Sequence, residues 1–168
     1  MTGAVRQIIE VPCSVDALER SEALAQLTPD AARALGVDAV DGSDLDASMG
    51  ARIDAAIAAC LAAYKPRGVY KLFNPATCTL PPEYVEPAIK LVGTMMMFHG
   101  QIVYERLRRA AHCALMAVTI GPDNPAVLPE NADELDRALA DTCAKALVEC
   151  AADRVNAAIV AAAMDEGL

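Results

Sequence analysis

The sequence predicts an α+β fold. It reads as a single domain over residues 1–168, with a central antiparallel or mixed sheet packed with helices and a long C-terminal helix. Three observations carry this. Strand-like and helix-like segments follow in the order β, α, α, α, β, β, α, β, α, without the regular alternation that builds a doubly wound parallel sheet. The run "CALMAVTI" (113–120) is apolar and of strand length, and it stops at glycine and proline. From residue 135 onward, Leu135, Leu139, Cys143, Ala146, Leu147 and Cys150 recur at helical spacing towards Ile159.

The elements follow in order. "RQIIEV" (6–11) reads as a short strand bounded by Pro12, and Ser14 caps a helix expected to reach about Leu27. Thr28-Pro29-Asp30 offers an N-cap, a proline at the first helical position and an acidic first turn, for a short helix stopped by Gly36. "DAVDGSD" (38–44) is a linker loop. Ser43 and Asp46 resemble a capping box for a longer helix. Its stripe of Ile53, Ile57, Cys60, Leu61 and Tyr64 ends at Lys65-Pro66.

"GVYKLF" (68–73) alternates as a strand does. Residues 74–87 hold too many prolines for a regular element, and 88–98 is extended with an interruption at Gly93. His99-Gly100 makes a turn. From Gln101 a helix places Ile102, Val103, Leu107, Ala110 and Ala111 on one side and Glu105, Arg106, Arg108 and Arg109 on the other. "CALMAVTI" is then expected to be a central strand buried on both faces. The last helix begins near Asn131, with Glu134 three residues on.

Composition narrows the function. With a net charge of −9, no tryptophan and 4% aromatic residues, neither counterion-release binding to nucleic acid nor a base-stacking platform is expected. Two basic groups stand out locally: Lys65, Arg67 and Lys71, then Arg106, Arg108 and Arg109. The six cysteines form no CxxC pair and no zinc spacing. No leader peptide and no membrane span is read, so a cytoplasmic location with reduced, packing cysteines is expected. Cys143 and Cys150 lie two turns apart on one helix and cannot pair as a disulfide.

Familiar catalytic signatures are missing. The chain has no GxGxxG or GxxxxGK[ST], no HExxH, no GxSxG and no DxHxxG loop of a corrinoid ligand. His112 neighbours Cys113, but adjacent strand residues point to opposite faces, so a thiolate–imidazolium couple is not expected.

Four stretches in order carry a resemblance: "AARALGV" (31–37), "IAACLAAYKPRGVYKLF" (57–73), "GQIVYERLRRAAHCALMAVTIG" (100–121) and "LDRALADTCAKALVECAADRVNAAI" (135–159). Together they resemble the activation domain of vitamin B12-dependent methionine synthase, and its small stand-alone relatives in particular. The resemblance implies a curved α+β domain that binds S-adenosylmethionine and assists remethylation of a Co(II) corrinoid. The partner it implies is a corrinoid protein or methyltransferase. Thr119 and Gly121 match the family's strand end, and Glu149 fits one acidic position of its long helix; Lys145 stands where another acid is expected. The family's arginine, Gly-Tyr and Cys-Pro segment after the long helix has no counterpart here, so a complete reactivase is not expected in this chain.

The resemblance thus implies an accessory protein of corrinoid-dependent methyl transfer, with Glu105, Arg106, Arg109, Thr119, Gly121 and Glu149 as ligand or partner candidates. Lys71 would join Arg106 and Arg109 in docking. The cofactor expectation is S-adenosylmethionine, with no metal and no assigned catalytic residue. A second expectation is a non-catalytic oligomeric scaffold, with "AAIVAAAM" as a helix face for a second copy. A third is a small-molecule enzyme using Glu105, Glu149 or Arg109 as acid, base or anion clamp.

Overall fold

The computed structural model describes residues 7–26, 47–78, 86–121, 127–128 and 132–167. The described elements are β1 (Ile9–Pro12), α1 (Arg20–Leu24), α2 (Ala47–Ala63), β2 (Arg67–Phe73), β3 (Pro75–Cys78), β4 (Ala88–Leu91), β5 (Met97–His99), α3 (Gln101–Leu107), β6 (Cys113–Thr119) and α4 (Glu134–Asp165). The fold is α+β. One three-stranded sheet has the order β1-β2-β6 and the other β3-β4-β5. The expected helix over 28–36, the loop 38–44, the capping residues Ser43 and Asp46, and Asn131 lie outside the described residues.

Two compact units divide the chain. The first takes Met1–Glu10, Val69–Ala117 and Ala158–Leu168; the second takes Val11–Gly68 and Val118–Ala157.

The second unit holds the larger core. Leu18, Ala23 and Leu24 pack with Ile53, Ala56, Ile57 and Cys60 of α2 and with Leu139, Ala140, Cys143, Ala146 and Leu147 of α4. The helical stripes read from the sequence on both long helices are therefore the buried faces. Burial of such side chains contributes about 1.5–3 kcal/mol each for the larger aliphatics. Arg52 of α2 ties this core to the start of α4: its Nη2 lies 2.6 Å from both Asp133 and Asp136. Asp133 accepts the Asp136 N–H at 2.8 Å, so it also caps the helix.

In the first unit, β4 pairs antiparallel with both neighbours. Pro75 lies opposite Leu91 and Cys78 opposite Ala88, while Ala88 also faces His99. Ala88, Ile89 and Leu91 are buried. The Thr94 hydroxyl closes the turn between β4 and β5, donating to the Leu91 carbonyl at 2.9 Å and accepting the Met96 N–H at 3.0 Å. Helix α3 packs on β4 and β5.

Several expectations are corrected. The first helix runs only from Arg20 to Leu24, because the Glu22 carboxylate accepts the Glu19 N–H at 2.8 Å and starts the helix there rather than at Ser14. Pro75–Cys78 is a strand despite the prolines around it; Pro75 sits at its first position, where a missing N–H is tolerated. The interruption expected at Gly93 is present, as the turn of a hairpin between β4 and β5. Helix α3 stops at Leu107 and buries no residue fully.

The largest correction concerns β6. It lies at the end of the order β1-β2-β6, and residues 114–117 are all exposed. The middle place belongs to β2, whose alternation buries Gly68, Tyr70 and Leu72. An apolar run is compatible with either place, and here pairing rather than hydropathy decides.

Candidate functional site

The first unit contains a cavity of about 320 Å³, lined by Leu72, residues 110–114, Ile159 and Ala163. Its parts follow from local chain direction. The alternation of β2 turns Leu72 inward and leaves Asn74 just past the strand end. The chain leaves α3 at Leu107 and reaches β6 at Cys113, with His112 immediately before the strand. Four alanines of the lining provide the space, since each projects only a methyl group.

His112 is the polar anchor of this lining. Its Nδ1 lies 3.0 Å from Asn74 Oδ1. An amide oxygen can only accept, so Nδ1 is the donor in this contact. Cys113 behaves differently from a nucleophile: burial pushes its thiol up, whereas an activated cysteine needs its pKa lowered by a nearby cation.

The same unit presents apolar side chains to solvent. Met95 is 94% exposed in the β4–β5 turn and Ile102 is 73% exposed on α3, with Val92, Met96 and Met97 also exposed. Of the large hydrophobics exposed among the described residues, all but Val148 belong to the first unit. Arg106, Arg108 and Arg109, at the end of α3 and just beyond it, are exposed too. Flexible, polarizable methionines and exposed arginines are residue types that suit a surface meeting another protein. The methionines are legible in "GTMMMF", but periodicity alone does not say that a hairpin turn projects them.

The predicted site residues divide between the units. Glu105, Arg106 and Arg109 belong to the first. Glu105 is exposed and accepts the Gln101 amide at 2.6 Å, a pairing one turn apart on α3. Thr119, Gly121 and Glu149 belong to the second unit. The Thr119 hydroxyl accepts the Gly121 N–H at 3.2 Å, and Gly121 has φ of 127°, so these two shape the chain as it leaves β6. Lys65 donates its N–H to the neighbouring Ile120 carbonyl at 2.7 Å. Glu149 is exposed on α4, and Lys145 pairs with Asp141 at 2.6 Å. Lys71 lies 5.4 Å from the Phe73 ring centroid, a cation–π contact along β2.

No family model, curated protein or solved structure matches this chain. S-adenosylmethionine presents a carboxylate, an ammonium and a sulfonium, and the cavity lining offers an imidazole, a thiol and alkyl groups. That lining does not fit the molecule. Among the described residues no group of three or more His, Cys, Asp or Glu could hold a metal ion. No helix among them is long and apolar enough to cross a membrane.

Proposed function

We propose that this chain is a partner-binding accessory protein of corrinoid-dependent methyl transfer rather than a self-sufficient enzyme. The observation that carries the partner-binding part is the exposed surface of the first unit, where Met95 stands in solvent in the β4–β5 turn and Ile102 and Arg106 on α3. Singly exposed apolar residues are ordinary; the run Met95, Met96 and Met97 in one turn supports an interaction surface. The corrinoid part rests on the four ordered stretches that resemble the activation domain.

The test is calorimetric titration with the Co(II) form of a purified corrinoid protein, with and without S-adenosylmethionine. Saturable binding supports the reading. No heat in either case removes the corrinoid partner and leaves the resemblance as ancestry.

The second reading, a non-catalytic oligomeric scaffold, is favoured by a separate observation: the exposed apolar edge strand β6.

A further inference from the structure

We infer that the exposed face of β5 is a Cu(I) site, in which the thioethers of Met95 and Met97 and the imidazole of His99 hold one soft monovalent ion. The inference stands apart from the corrinoid reading, although Met95 belongs to both surfaces.

The stretch "TMMMFHG" (94–100) sets these donors at alternate positions. Successive side chains of a strand point to opposite faces, so Met97 and His99 share one face of β5 and Phe98 takes the other. Burial agrees, with Met97 and His99 exposed and Phe98 half-buried. Pairing identifies the face: Met97 lies opposite the exposed Lys90, and His99 opposite Ala88. The Leu91 N–H donates to the Met96 carbonyl at 3.1 Å, so the pairing reaches Met96 and puts it on the side of the buried Leu91. Met95 follows on the Met97 side. Cα atoms two residues apart on a strand lie about 6.6 Å apart, and flexible thioether arms span that gap to a shared ion. The Thr94 hydroxyl holds the backbone of the turn, while the Met95 side chain is 94% exposed and free to swing. Unlike His112, which Asn74 holds, the His99 ring makes no hydrogen bond among the described residues, so it is open to an ion.

The donor set selects the metal. Residues 88–100 contain no Asp, Glu or Cys. Mg(II) and Ca(II) therefore find no carboxylate, and Zn(II) finds neither thiolate nor carboxylate beside the one imidazole. Lys90, across from Met97, opposes a divalent ion more than a monovalent one. Thioether sulfur is a soft ligand that selects Cu(I), and imidazole also suits copper. Among the described residues no grouping of His, Cys, Asp and Glu competes as a metal site. Single thiols are weak rivals. Cys13, Cys60 and Cys143 are buried, and burial pushes the half-buried Cys113 and Cys150 thiols up, so both keep their protons at neutral pH. Cys78, half-buried on β3, is the rival that the test must separate.

The experiment titrates Cu(I), supplied anaerobically from its bicinchoninate complex, into the full chain with isotope-labelled methionine methyl groups. Cu(I) is diamagnetic, so each methyl resonance reports on its own sulfur. At equimolar Cu(I) the Met95 and Met97 resonances are expected to move and that of Met96 to stay. Met96 is 41% exposed against 38% for Met97, so exposure alone would make the two respond alike. Met97→Leu and His99→Gln are each expected to weaken Cu(I) binding about tenfold or more, the scale on which metal sites respond to loss of a supporting group. Met96→Leu and Cys78→Ser are expected to bind as the wild type does. Resonances that do not move overturn the proposal, and so does a Met96 response equal to that of Met97. Loss of binding in Cys78→Ser, or Zn(II) moving the same resonances as far as Cu(I), equally overturns it.

Discussion

Gly68 of β2 sits directly beneath Val155 of α4. A β-carbon on Gly68 would overlap Val155 Cγ2 and approach Cys13 Sγ to 3.0 Å. Val155 is fully buried and β-branched, so it cannot swing aside freely. Gly68→Ala is expected to destabilise the protein by about 1–3 kcal/mol through overpacking. Urea denaturation checks this. Gly68→Ala with Val155→Ala should recover much of the loss, because the second change removes the overlapping methyl.

The Asp133 carboxylate gives a pH dependence. The Asp136 backbone N–H and then Arg52 hold it below the ordinary value of 3.8. A folded-state value below the unfolded one contributes stability above about pH 4, lost as pH falls further through the folded value. Asp133→Asn keeps the cap and loses the charge, so it should flatten the midpoint's pH dependence below 4. Asp133→Ala should also lower the midpoint at neutral pH. Thermal melts between pH 2 and 7 separate the two, and identical curves for both variants would contradict the assignment.

Cys60 and Cys143 meet in the core of the second unit, where Cys60 Sγ also lies 3.5 Å from the Ala140 carbonyl. The hydrogen bond that Cys143 donates to Cys60, together with burial, pushes the Cys143 thiol up. Both thiols are expected to resist alkylation in the folded protein at pH 8 and to react on unfolding. Mass spectrometry after a short iodoacetamide pulse reads this, and prompt labelling of either residue would show an open core.

Gly121 tests the structural role of the β6 end. Its positive φ suits glycine, and an added β-carbon would lie 3.4 Å from the Lys65 amide nitrogen. Gly121→Ala is expected to cost about 1–3 kcal/mol of stability. Its effect on partner binding should be no larger than that loss explains; abolished binding in a folded variant would instead mark Gly121 as a contact.

Most of the long elements were legible in the sequence. Helices α2 and α4 announced themselves through stripes that bury Ile53, Ile57, Cys60, Leu139 and Cys143, because a 3.6-residue period leaves few alternatives. Strand β2 showed its alternation. The short elements did not: β3 is four residues beside prolines, and α1 depends on Glu19 and Glu22, a local pairing that Ser14 outranked on residue type. The place of β6 could not be read, since strand order is set by partners distant in sequence. The site was legible only in pieces. Arg106, Arg108 and Arg109 were visible, but the contact between Asn74 and His112 joins residues 38 apart, and no local pattern encodes it.

The central claim is that the first unit's exposed surface receives a corrinoid protein. Its most direct test is calorimetric titration of the Co(II) corrinoid protein into the wild type and into a Met95→Ser, Ile102→Glu variant. Saturable binding weakened roughly tenfold or more by the two substitutions is the expected result, as for apolar anchors at an interface. Absence of binding by the wild type, or equal binding by both proteins, would contradict it.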